Sequence, residues 1–155
     1  MTTLPPGWSI RAAVAADMPR LRELMHELGT LEGSAADIRT DAATLASGCA
    51  ATPPRFHALL AEHEGRTCGY ATYTLGYSIW RGQSMILLDD LFVVPEHRSR
   101  GIGRLLMQEL AAIRDRDGHG FVRWGVESAN ARAVEFYCAL GARVTYKGIC
   151  TWAAA

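Results

Sequence analysis

Apolar positions recur along this chain at two spacings. Met18, Leu21, Leu24, Met25 and Leu28 fall three and four residues apart, the period of one helix face. Asp17 precedes them as an N-cap, Pro19 sits in the first turn, and Gly29 supplies a stop, so the spacing predicts a helix from Met18 to Gly29. Ile102, Leu105, Leu106, Leu110 and Ile113 repeat the pattern in a helix running to Arg116 and broken by Asp117-Gly118-His119-Gly120. A short helix is expected over Thr40–Ser47. Another is expected over Ala131–Leu140, capped by Asn130 and closed by Gly141. The other spacing is alternation and short apolar runs. It predicts strands at Trp8–Arg11, Phe56–Glu62, Gly69–Leu75, Met85–Val94, Phe121–Glu127 and Val144–Trp152. Thr30-Leu31-Glu32-Gly33 reads as a turn that can face a ligand, and Gly76–Gly82 as a glycine-bounded loop carrying Tyr77 and Trp80. The order β-α-α-β-β-β-α-β-α-β is that of an α/β protein, with helices packed around a mixed central sheet in a single domain over 1–155.

Composition narrows the partners. Sixteen basic and sixteen acidic residues cancel to a formal charge of zero, which argues against nucleic-acid or anionic-membrane binding driven by net charge. No apolar run approaches the roughly 20 residues that span a bilayer. Residues 1–11 lack a basic region followed by an apolar stretch, so the expectation is a cytoplasmic protein. Cys49, Cys68, Cys138 and Cys150 form no C-x-x-C pair and are expected to stay reduced. The five histidines fall into no ligand spacing, so no metal site is expected.

Candidate chemistry concentrates in the stretch from Leu87 to Leu106. An apolar strand is stopped by Pro95 and passes through the basic, glycine-bearing turn Arg98-Ser99-Arg100-Gly101-Ile102-Gly103-Arg104 into a helix. Free backbone N–H groups, a helix N-terminus and close backbone approach at glycine together hold phosphate. This is neither of two better-known glycine loops. Leu106 stands where the dinucleotide fingerprint needs its third glycine, and no G-x-x-x-x-G-K-[ST] run occurs. The motif present is R-x-x-G-x-G, which taken alone also fits a solvated strand–helix turn.

A second segment decides between them: Asn130-Ala131-Arg132-Ala133-Val134-Glu135-Phe136-Tyr137-Cys138-Ala139-Leu140-Gly141-Ala142. The two motifs, in this order, resemble those of the GNAT superfamily of N-acetyltransferases. The resemblance implies acetyl-CoA as co-substrate, its pyrophosphate held by the backbone of Arg98, Ser99, Arg100, Gly101, Ile102, Gly103 and Arg104. It also implies that the Leu91-Phe92-Val93 strand and the segment bearing Asn130 and Ala133 line the cofactor arm. Tyr137 is then placed near the thioester sulfur as general acid.

Further segments are similar to the diamine (spermidine/spermine) and thialysine acetyltransferase subgroup. They are Ile10–Asp17, His26–Glu32, Tyr77–Gly82 and Leu88–Val93. That resemblance implies a small cationic amine as acceptor and a homodimer, with Glu32, Trp80, Asp89 and Asp90 at the substrate. The physical logic agrees, since carboxylates and an indole face attract ammonium groups. Neighbours in a strand point to opposite faces, so only one of Asp89 and Asp90 faces a given cleft unless a bulge intervenes; Asp90 is favoured. Asp89 or Glu127, through water, is a candidate for receiving the amine's proton. Ser78, Leu31, Asp89 and Ala129 depart from residues common in the subgroup, which leaves acetyl transfer intact but weakens the case for spermidine or spermine itself. The alternatives are another acceptor (an amino acid, an aminoglycoside-like amine or a peptide N-terminus) or a non-catalytic acyl-CoA-binding regulator.

Overall fold

A computed structural model describes residues 3–154. Two compact units make up the chain, Met1–Trp124 and Gly125–Ala155. The larger contains a five-stranded sheet whose spatial order equals its chain order: β1 (Trp8–Ala12), β2 (His57–His63), β3 (Arg66–Ser78), β4 (Gln83–Val93) and β5 (Val122–Arg123). The first four strands run antiparallel, and β5 joins β4 in parallel through Ile86↔Val122 and Leu87↔Arg123, giving the mixed sheet expected. Burial of Ala58–Ala61 and of Cys68–Tyr73 is continuous rather than alternating, as it is when both faces of a sheet are covered.

Helices provide that cover. α1 (Met18–Glu32) buries Met18, Leu21 and Leu24, and α3 (Ile102–Asp117) buries Ile102, Leu105, Leu106, Leu110 and Ile113, the stripes foreseen from their spacing. Asp17 does not cap α1 with its side chain. Its carboxylate instead accepts from Val14 N at 2.7 Å and from the Arg11 guanidinium at 2.8 Å, and Arg11 also reaches Glu62 at 2.7 Å. This ties β1 and β2 to the start of α1. α2 (Ala42–Ala50) begins later than its expected Thr40 because Asp41 is the true cap, its Oδ1 accepting from Thr44 N at 2.7 Å.

Five expectations are corrected. α1 passes through Gly29 and ends at Glu32, with Gly33 at φ 73° as the left-handed stop. Gly29 is there for space: a Cβ on it would lie 2.9 Å from the Ala35 Cα and 2.9 Å from the Ile38 side chain. Thr30-Leu31-Glu32 is therefore the last helical turn and not a loop. Gly76–Ser78 belongs to β3, paired with Met85–Gln83, so the loop shrinks to Ile79–Gly82. Of Phe121–Glu127 only Val122 and Arg123 form a strand, and Val144–Trp152 forms none. A strand requires a ladder to satisfy its backbone, and no described segment pairs with residues 144–152.

In the C-terminal unit α4 (Ala131–Ala139) is capped as expected. Asn130 Oδ1 accepts from Ala133 N at 3.1 Å, and Gly141 stands at φ 89° beyond the helix end. All four cysteines are free thiols, and no helix among the described residues is long and apolar enough to cross a membrane.

Candidate active site

β4 carries the site. Its ladder with β5 covers only two pairs, so beyond Leu87 the strand continues through Asp89, Asp90, Leu91, Phe92 and Val93 with, among the described residues, a strand partner on the β3 side alone. Backbone donors and acceptors on the other edge are available to a ligand with an amide chain. A single helical turn, 95–97, then leads into the loop. Val94 N donates to Cys68 O at 2.9 Å and Arg98 Nε to Val93 O at 2.9 Å, with the Arg98 guanidinium 5.5 Å from the Phe92 ring centre. Arg98 therefore fastens the loop to the end of β4.

The loop has the backbone of an anion cradle. Ser99 at φ 61° and Gly101 at φ 79° are left-handed, which turns successive N–H groups inward. Gly101 is the N-cap of α3 but has no side chain to satisfy the first-turn N–H groups. They are left to a ligand, with the helix dipole behind them. Arg100 is exposed and Arg104 half-buried, and neither forms a salt bridge among the described residues. An open space beside Gly101, where a Cβ would meet nothing within 4 Å, leaves room for a bulky phosphate. The residues present fit a pyrophosphate.

Upstream, the bulge left open by the sequence exists. Thr72 pairs with Asp90 and Tyr73 with Leu88, so Asp89 is the extra residue on β4. The bulge resets the alternation: Asp90 shares a face with Thr72, Tyr70 and Phe92 instead of with Leu88. Burial pushes the Asp90 carboxyl up, and the charges of Asp89 and Glu32 push it further. Asp89 keeps contact with solvent but stands amid enough protein to be raised as well. Of the four expected substrate residues, Asp90 thus feels the charges of two others, Asp89 and Glu32. Trp80 is not brought to them. It lies fully exposed in the β3–β4 turn, roughly 20 Å along the hairpin from Asp90 at about 3.4 Å per residue.

An open cleft of about 420 Å³ follows the same end of α1, walled by Glu27, Thr30, Leu31, Pro95 and Glu96 among others. Another cavity, about 400 Å³, lies at the far end of α3 beneath His57 and Tyr73, whose rings stack 5.0 Å apart. Burial holds His57 below the ordinary histidine value, hence neutral.

Tyr137, Asn130 and Ala133 belong to the C-terminal unit, on α4 and at its cap. The Tyr137 ring meets that of Phe136 edge-on at 5.2 Å. Glu127 precedes the helix and is exposed. One polar group beside the carboxylates is absent from the sequence candidates: Tyr70, whose spacing on β3 reads as ordinary strand core.

Residues 19–142 match the family model described as "Acetyltransferase (GNAT) family". The chain belongs to the GNAT acetyltransferase family. It is accordingly an acyltransferase enzyme, and the family's relatives act on amines. The chain is 31% identical over 142 residues to a thialysine N-epsilon-acetyltransferase of Bos taurus, covering 86% of this chain and 83% of that one. It is 27% identical to the human spermidine/spermine N(1)-acetyltransferase-like protein 1 over 87% of this chain and 20% of that much longer one. In three dimensions it resembles an aminoglycoside acetyltransferase from an uncultured soil metagenomic sample, with a TM-score of 0.80, 15% identity, and coverage of 96% and 97% of the two chains. At that identity the likeness concerns the fold alone.

Proposed function

We propose that this GNAT enzyme transfers the acetyl group of acetyl-CoA to a primary amine of a small cationic substrate: a diamine, a polyamine or a thialysine-like amino acid. The observation that carries the proposal is the convergence of Asp89, Asp90 and Glu32 at the bulge immediately upstream of the anion loop. A half-buried carboxylate with two further acids acting on it favours a cation. Glu96 adds a further carboxylate in the cleft along α1, where Glu27 already pairs with Arg20 at 3.5 Å. The 31% identity to a thialysine N-epsilon-acetyltransferase supports the same substrate class.

Acetyl-CoA supplies an activated thioester when bound. The chain's residues supply the rest. Backbone N–H groups of Ser99–Arg104 hold the diphosphate, the Arg98 N–H being donated to Pro95 O at 3.2 Å, with Arg100 and Arg104 adding charge. An alkylammonium with a pKa near ~10 must lose a proton before its nitrogen can attack. Asp89 receives it, through water. A backbone N–H of Leu91–Val93 opposes the negative charge that develops on the acetyl oxygen. As the new C–N bond forms and the C–S bond breaks, Tyr137 gives the departing sulfur its proton, the role its motif carries in the family. Asn130 sets the start of α4 on which that tyrosine stands.

The test is a thiol-release assay with acetyl-CoA against diamines, polyamines, thialysine and lysine analogues, with amino acids, an aminoglycoside and a peptide N-terminus as the competing class. Preference for dications supports the reading. Turnover of the peptide or of neutral-side-chain amino acids instead would replace it. Calorimetric binding of CoA without turnover of any amine would make the protein an acyl-CoA-binding regulator.

A further inference from the structure

Tyr70 is among the largest side chains in the protein with no exposed surface, at 0%, and its hydroxyl makes no hydrogen bond to any described residue. A tyrosine tip taken out of water without a partner is a net loss, and phenylalanine would fill the same space without it. A buried phenol in such a place therefore asks for a partner that arrives later.

Register shows where that partner must be. Tyr70 lies opposite Phe92 and Thr72 opposite Asp90, so Tyr70 and Asp90 occupy one face of the β3–β4 pair, on diagonal positions. The Tyr70 and Phe92 rings are 6.0 Å apart and inclined at 52°. The charges that act on the phenol are those of Asp90 and Glu32, two of the three acids at the bulge. Burial, reinforced by those acids, drives phenol ionisation far upward, so the group keeps its proton and can serve as a donor but not as a base.

We infer that Tyr70 is a positioning residue for the acceptor amine, its hydroxyl being the donor reserved for the Asp90 carboxylate when a cation occupies the site. This rests on the cationic-acceptor reading above. In the free protein burial, and then the charges of Asp89 and Glu32, oppose charge on Asp90. An arriving ammonium reverses that balance and draws Asp90 into its ionised form. An ionised carboxylate accepts a hydrogen bond far more strongly than a neutral one. The neutral phenol, already buried on the same face, satisfies it without adding to the repulsion among the acids. The hydroxyl thus costs stability in the free protein and returns it as amine affinity.

The two halves of that statement move in opposite directions in Tyr70→Phe. The variant should melt about 3 °C above the wild type. Its KM for the best amine of the panel should rise about tenfold, while kcat at saturating amine and the KM for acetyl-CoA stay within about twofold. In an Asp90→Asn background the same substitution should change the amine KM by less than about twofold, since the two residues act as one unit. A merely structural tyrosine would lower the melting temperature or move both Michaelis constants together. An unchanged amine KM, a lowered melting temperature, or an effect undiminished in the Asp90→Asn background overturns the inference. If the wild type acetylates no amine of the panel, the underlying reading falls and this one with it. A wild type that acetylates cationic amines, paired with an indifferent Tyr70→Phe, removes this inference alone.

Discussion

Asp90 concentrates the physics of the site in one carboxyl. Burial raises it above the ordinary value of 3.8, and Asp89 and Glu32 raise it further. Because the folded protein holds this proton more tightly than the unfolded chain, stability declines as pH climbs from the ordinary carboxylate value through the raised one. Asp90→Asn removes that penalty. The variant should melt above the wild type at about pH 7 and level with it at about pH 3, read by thermal unfolding across pH. Function runs the other way. Ammonium binding needs the ionised form, so the wild-type KM for amine should rise as pH falls through the raised value. The asparagine variant should start from a KM at least about tenfold higher, without that rise. Tyr137 is tested on a different axis. Tyr137→Phe should keep its melting temperature and coenzyme affinity while losing about 10²–10⁴ in kcat, the range for a missing general acid. Unchanged turnover removes it from the mechanism.

At the level of elements, the strand–loop–helix from β4 to α3 was legible because each part is local. Pro95 stops a strand, glycine turns the loop, and apolar spacing marks the helix. What the chain did not reveal depends on residues distant in sequence. Gly29 looks like a helix stop because nothing nearby in sequence discloses the 35–37 turn pressed against it. The bulge at Asp89 depends on how β4 registers against β3, and alternation alone left both acids possible. Alternation puts Tyr70 and Tyr73 on opposite faces of β3, but only the register with Asp90 tells which of the two faces carries the acid. Val144–Trp152 alternates like a strand but finds no ladder among the described residues. Glu32, by contrast, was found through resemblance, and its placement explains Gly29. The close approach there holds the last turn of α1, and hence Glu32, in place. Gly29→Ala should cost about 1–3 kcal/mol by overpacking. Because the displaced segment carries Glu32, it should also raise the amine KM while leaving the acetyl-CoA KM unchanged. Denaturant unfolding and steady-state kinetics on the same variant check both. A stability loss with both constants intact would separate Gly29 from the site.

For the whole molecule, the distribution of exposed apolar side chains matters more than net charge, which is zero. Leu75 and Tyr77 follow one another on one face of β3, and Ile79 and Trp80 continue into the β3–β4 turn, with Ile79 86% and Trp80 100% exposed. Isolated apolar residues on a surface need no explanation, but we propose that a run of four on one hairpin is an interaction surface. The occupant we propose is a second copy of this chain. Trp80 stands roughly 20 Å along the hairpin from the carboxylates of its own chain at about 3.4 Å per residue, so an indole that serves an amine site is better placed to serve a partner's. A twofold interface would also cover both hairpins with the same patch. Light scattering with size-exclusion chromatography should give twice the mass of 16.9 kDa. Ile79→Glu should return the monomer by placing an unpaired charge in the interface. If the indole works across that interface, mixing Trp80→Ala subunits with Asp90→Asn subunits should restore activity above that of either variant alone. A monomeric wild type at working enzyme concentration defeats the dimer. Dimers with no recovery on mixing leave Trp80 as packing only.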